Sequence, residues 1–238
     1  MKGDQIMSIG VILVAFVSAA AGLFLIAWFI ERLSGKERGE KLLTTRKVVV
    51  TGMFSAVSTL LMLAEVPVFF APGFYKIDLS ELPALICGFA YGPVAGVMTE
   101  FIKILLKLLF KGTSTALVGE LANFVVGCFM VLPASAIYCF GKTRARAVIS
   151  CIAGIISMTV AGSAMNAFFL LPAFAKMFEM PLDVIIGMGS ELNHHITGLT
   201  SFVFWAVAPL NLLKGTVVSI ITLLVYKKLS PVMKKHAG

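Results

Sequence analysis

Residues 7–30 carry no charged side chain, and this run constrains the chain more than any other stretch. A helix crossing the hydrocarbon of a bilayer takes about 20 apolar residues. A cleaved targeting peptide is the competing reading, but its apolar core runs to only about 7–15 residues and its positive charge comes first. Here the basic residues follow: Arg32, Lys36, Arg38, Lys41, Arg46 and Lys47. The order predicts an uncleaved spanning helix that starts outside, with 32–47 held in the cytosol by its positive charge. The linker 31–47 mixes both signs with Gly35 and Gly39, so a flexible or partly helical connection is expected.

The rest of the chain extends the same argument. Of 238 residues, 59% are hydrophobic and 13% charged, with a mean hydropathy of +0.98. A soluble domain needs more polar surface than that, whereas such a chain has room for roughly six or seven spans. The expected fold class is therefore an all-α integral membrane protein, one polytopic unit. The net charge of +8 would suit nucleic acid if it lay on a basic face interleaved with aromatics. Instead it falls in short clusters beside apolar runs: 32–47, then Lys142, Arg144 and Arg146, then Lys227, Lys228, Lys234 and Lys235. Those clusters place two connections and the C-terminus on the cytosolic side, and no nucleic-acid partner is expected. Cys87, Cys128, Cys139 and Cys151 lie in or beside apolar runs without CxxC spacing. They read as small core residues, and no metal site is expected.

Alternation of the clusters orders the spans. Residues 48–66 run outward, with Gly52 and Ala56 four apart on a face suited to helix–helix contact. Pro67 and Pro72 end that helix. The stretch 72–96, PGFYKIDLSELPALICGFAYGPVAG, then begins as an outer loop with Lys76, Asp78, Ser80 and Glu81. It continues as a charge-free run carrying Gly88, Gly92 and Gly96. In one helix those glycines would share a face and admit a neighbouring backbone, and Gly92-Pro93 is a tight turn or a kink. Residues 94–110 go outward with Glu100, Lys103 and Lys107 on one face, where the first two can pair at the rim of a short helix. A short outer loop (111–115) precedes an inward span to Phe140. Residues 148–171 run outward, ended by Pro172, and 173–200 form the longest outer connection. The last span carries Pro209, Asn211 and Lys214.

Ionisable groups inside spans cost about 2.5–3.5 kcal/mol each on insertion scales, so they need partners or a wet cavity. Glu65, Glu100, Lys103, Lys107, Glu120 and Lys214 are the candidates. Asn211 and Lys214 stand three apart behind Pro209, so an amide and an ammonium share one helix face. They offer donors to a carbonyl-rich ligand edge; the alternative is an inter-helix pair of Lys214 with Glu120. Asn123 and Asn166 read equally as helix–helix glue and as ligand contacts. Phe69, Phe70, Phe74 and Tyr75 suit a stacking lid or ordinary interfacial anchoring. His194 and His195 are adjacent, point different ways and lack a third ligand. Gly141-Lys142-Thr143 lacks the first glycine of a phosphate-binding loop, and Gly187-Met188-Gly189 lacks the third of a dinucleotide fingerprint. No GxSxG or HExxH occurs, so enzymatic activity is not expected.

Taken together, KIDLSELPALICGFAYGPVAG (76–96), EFIKILLKLL (100–109), GELANF (119–124), the Asn166 region with LLP (170–172) and APLNLLKG (208–215) resemble one family. The chain is similar over about 46–235 to the substrate-binding S components of energy-coupling factor (ECF) vitamin transporters, most closely the riboflavin-type members. The resemblance implies six core helices over 47–238 around an outward-facing pocket gated by the loop after the first core helix. Residues 1–46 are then an additional helix and linker. It implies riboflavin as transported ligand and no cofactor, with a transmembrane T component and two cytosolic ATPases as partners. It assigns ligand contacts to Asn166, Asn211 and Lys214 and to the gating loop around Phe74, Tyr75, Lys76 and Asp78, with Asn123 a further candidate. Gly52 and Ala56 would contact the T component. Another vitamin, a flavin nucleotide, or a self-sufficient ion-coupled carrier are the alternatives, the last disfavoured by the lack of an internal repeat.

Overall fold

Hydroxyl groups face inward and aliphatic ones outward on the helix Thr45–Leu63, the reverse of a helix in water. Its buried positions are Lys47, Thr51, Ser55, Ser58, Thr59 and Met62, while Val48, Val49, Met53, Val57 and Leu60 are exposed. The hydroxyls of Thr51, Ser55 and Thr59 each donate to the carbonyl four residues back, at 2.7, 2.8 and 2.8 Å. Turned inward, they therefore leave no orphan donor. Lipid is indifferent to an aliphatic exterior, and small inward side chains let helices approach closely.

The computed structural model describes residues 2–36 and 44–234, with side chains over 10–34 and 44–225. Arg38, Lys41 and Lys235 lie outside the described residues, as do the side chains of Lys36, Lys227, Lys228 and Lys234. The order is α1 (Lys2–Lys36), α2 (Thr45–Leu63), a two-stranded ribbon β1 (Val66–Pro67) and β2 (Lys76–Ile77), α3 (Glu81–Tyr91), α4 (Pro93–Lys111) and α5 (Val118–Cys139). There follow α6 (Arg144–Met165), α7 (Leu171–Met177), α8 (Leu182–Leu192), α9 (Leu199–Phe202) and α10 (Ala208–Lys234). The ribbon is antiparallel, with Val66 opposite Ile77 and Pro67 opposite Lys76. Among the described residues, five stretches are long and apolar enough to cross a membrane: Gly10–Ser34, Thr45–Leu63, Val118–Cys139, Arg144–Met177 and Leu199–Val225. The chain is a multi-pass, all-helical membrane protein.

Of the two readings of Gly92-Pro93, the structure shows the tight turn, so the glycines at 88, 92 and 96 do not lie on one helix. Gly92, at φ +96°, ends α3, and Pro93 opens α4, so the chain turns back on itself. Gly88 and Gly96 then face each other across a hairpin: a Cβ on Gly96 would stand 3.2 Å from the Gly88 Cα and 2.5 Å from Val131 Cγ1. The returning segment α3 has 11 residues, about 16 Å of helix, half a bilayer, and is buried along most of its length. Gly96→Ala is expected to push α3, α4 and α5 apart and to destabilise the protein by about 1–3 kcal/mol. Thermal unfolding in detergent measures it.

Pro172 does not end its helix as expected. The stretch continues through a π-helical turn, Asn166–Leu170, into α7. A second π turn, Val203–Val207, joins α9 to α10. Each lies just upstream of a proline, Pro172 and Pro209. A proline removes one N–H and its ring crowds the carbonyl four residues back, and widening the preceding turn relieves both. The last span starts at Leu199, and α7 and α8 give the long connection 173–200 helical structure of its own. There Tyr75, Leu171, Phe174, Ile185, Ile196 and Phe202 pack into one buried cluster.

Candidate functional site

The segment flanking β2 is fastened to two distant helices by two side chains three residues apart, Tyr75 before the strand and Asp78 after it. Tyr75 is buried, and its hydroxyl donates to Asn166 Oδ1 at 2.6 Å. Burial pushes the phenol well above its ordinary pKa, so it remains a donor. Asp78 accepts from the Lys214 ammonium at 3.3 Å. Burial opposes ionisation of Asp78, but Lys214, Lys103 and the hydrogen bonds from Ser80 outweigh it and hold the carboxyl below its usual range.

Asn166 starts the first π turn, and its amide donates to the Gly162 carbonyl at 2.8 Å. Asn211 lies on α10, donating to the Val207 carbonyl at 2.9 Å. Its amide rests on Gly162, where any Cβ would stand 2.7 Å from Nδ2. A side chain there would displace the Asn211 amide. Asn166, Asn211 and Lys214 are each 7% exposed, nearly enclosed but not sealed. Asn166 and Asn211 together with Tyr75, and Lys214 together with Asp78, therefore form two stations of one site under the loop.

Below Asp78 lies a buried charge network. Lys214 reaches Glu81 at 2.8–2.9 Å. Lys103 reaches Glu100 at 2.6 Å, Glu81 at 3.4 Å and the Ser80 hydroxyl at 3.0 Å. Glu100 and Lys103 pair as their spacing predicts, but both are fully buried and not at a rim. The expected alternative partner of Lys214, Glu120, is engaged elsewhere, pairing with Lys107 and accepting from Thr113 and Thr115 at 3.0 Å each. Sequence reasoning missed Glu81, the carboxylate shared by both ammoniums. A first-turn acid on a helix buried all round was the available signal, since such a group needs a cation.

Other expected residues are placed differently. Lys76 turns outward and pairs with Glu65 at 2.8 Å; Glu65 is also held by Lys111 at 2.6 Å. Phe74 is partly exposed, its ring 4.7 Å from that of Tyr75 and 5.9 Å from that of Phe174. Asn123 is half-buried, and its side-chain carbonyl has no hydrogen-bond partner. His195 stacks on Trp205 at 5.3 Å, with both histidines exposed. An apolar groove of about 480 Å³ lies between α5 and α6, lined by Val125, Phe129, Val160, Ala164 and Phe168 among others. It is on the face of α6 opposite Gly162 and Asn166, so it does not gather the site residues.

Comparison with known proteins bears on this geometry. Residues 46–226 match the family model described as "ECF transporter, substrate-specific component". The chain is 30% identical to the riboflavin transporter FmnP of Bacillus subtilis over 187 residues, 78% of this chain and 93% of that protein. It is 32% identical to the riboflavin transporter RibU of Staphylococcus aureus over 199 residues, 80% and 93% of the two chains. A solved S component of a bacterial ECF transporter superposes with a TM-score of 0.62 at 30% identity, covering 79% of this chain and 98% of that one. Sequence and fold agree, and this chain belongs to the family of substrate-specific components of ECF transporters.

Proposed function

We propose that this protein captures riboflavin from the outside of the cell membrane and delivers it through a transmembrane T component driven by two cytosolic ATPases. One observation carries the reading. The loop residues Tyr75 and Asp78 hold Asn166 and Lys214, the same side chains that the sequence motifs assign to ligand contact. A flavin, with ring carbonyls and an imide, replaces those bonds nearly one for one. The relatives named above as riboflavin transporters support the same ligand. Asn123, with an unpaired carbonyl, and Asn211 add further polar contacts, and Phe74 and Tyr75 offer ring faces. Lys76, turned toward Glu65, acts in the loop's outer seam rather than on the ligand.

The basic end of the helices is the cytosolic one in this reading, with the loop 64–80 and the N-terminus outside. Gly52 and Ala56 are exposed on α2, with nothing within 4 Å of a Cβ on Gly52. That notch is the proposed T-component contact. The test is purification from cells grown with riboflavin: a bound-flavin absorbance spectrum and the riboflavin mass in the released ligand are expected. Protein that carries no ligand, or one of another mass, rules the assignment out.

A further inference from the structure

The matched family region begins at residue 46, so α1 lies outside it, yet α1 is built into the protein. Ala20, Leu23 and Ala27 join Met62, Val97, Ile104, Phe124 and Cys128 in one buried cluster. Phe16 packs on Phe101 and Phe124 with ring centroids 6.0 and 5.3 Å apart. Lipid would accept that apolar surface equally well, so it fixes no particular position for α1. The polar contacts at the basic end do.

Glu31 is 8% exposed and divides its carboxylate between two helices. One oxygen pairs with the Lys47 ammonium at the start of α2. The other accepts from the Val94 N–H at 3.0 Å. Pro93 has no N–H, so Val94 carries the first free donor of α4, and a carboxylate at a helix N-terminus is favoured by both the hydrogen bond and the helix dipole. The turn is shaped for this group: a Cβ on Gly92 would stand 2.9 Å from Glu31 Oε2. One turn along α1, Ser34 donates to the Cys139 carbonyl at the end of α5 at 3.2 Å. Three core helices are thus tied at one end to a helix the matched region does not include.

We propose that Glu31 is a positioning residue that sets the cytosolic ends of α2 and α4. Through Lys47, it places the exposed face of α2 that receives the T component. This rests on the proposed function for the identity of the partner, while the clamp itself does not. Spin labels at the exposed Leu33 and Val49 report the α1–α2 separation, and riboflavin titration and retention of co-expressed T component are read on the same protein. Glu31→Gln is expected to lengthen and broaden the distance distribution. It should cut retained T component by about fivefold, the low end of common inter-site couplings, with riboflavin affinity within about twofold of the parent. Lys47→Met, which removes the other half of the pair and leaves the Val94 contact in place, should lengthen the α1–α2 distance in the same way and lower retention. Parent-like distances and retention in Glu31→Gln overturn the proposal. So does a matching fall in riboflavin affinity, which would make Glu31 a folding residue only, and so does a parent-like α1–α2 distance in Lys47→Met. Parent protein that binds no flavin refutes the ligand assignment, and the label distances still decide the clamp.

Discussion

Lys214→Met is expected to abolish riboflavin binding and to destabilise the protein by about 3–5 kcal/mol. The Lys214 ammonium meets Asp78 at 3.3 Å and Glu81 at 2.8 Å. Removing it leaves Asp78, Glu81 and Glu100 facing Lys103 alone, all of them buried. Methionine preserves the length and packing of the side chain, so the effect is one of charge and not of a cavity. A buried carboxylate that loses its cation has no water to replace it, which is why the cost exceeds that of a surface pair. The double variant Lys214→Met with Glu81→Gln separates the two consequences. It removes one unpaired charge and should recover much of the stability, yet it lacks the ammonium and should not recover binding. Thermal unfolding in detergent and fluorescence titration of riboflavin measure the two effects. Near-parental affinity in Lys214→Met would remove this residue from the ligand site.

Asn166→Ala is expected to weaken riboflavin binding by tenfold or more, about 1.4 kcal/mol. The amide holds the Tyr75 hydroxyl and the Gly162 carbonyl at 2.6 and 2.8 Å. Its loss leaves a buried phenol without an acceptor and the ligand without an amide. Tyr75→Phe isolates the loop's share, because it removes one hydrogen bond and leaves Asn166 intact. Because a bound flavin takes the place of that bond, association should quicken severalfold while dissociation changes little. Stopped-flow measurement of flavin fluorescence distinguishes the two. Equal, small effects from both variants would mean that Asn166 serves only to latch the loop.

The membrane-embedded helical class was legible in the sequence because it depends on local quantities: run length, mean hydropathy and the placement of Lys and Arg. The buried polar residues of the candidate site stood out for a related reason, while their ligand role comes from the family resemblance. An amide or ammonium inside an apolar run is costly unless it has a use, so Asn166, Asn211 and Lys214 stand out from their neighbours. Which groups would meet was not legible. Lys214 and Asp78 are 136 positions apart, and nothing local distinguishes Asp78 or Glu81 from Glu120 as its partner. Only the packing of α3 against α4 and α10 decides it. The same holds for Glu31, which reads as one more charge in a basic linker until the turn at Gly92 places Val94 N–H within its reach. Run length and hydropathy belong to each segment alone and survive any rearrangement of the others. Pairing of buried charges depends on distances across the bundle, and those exist only once the helices have packed.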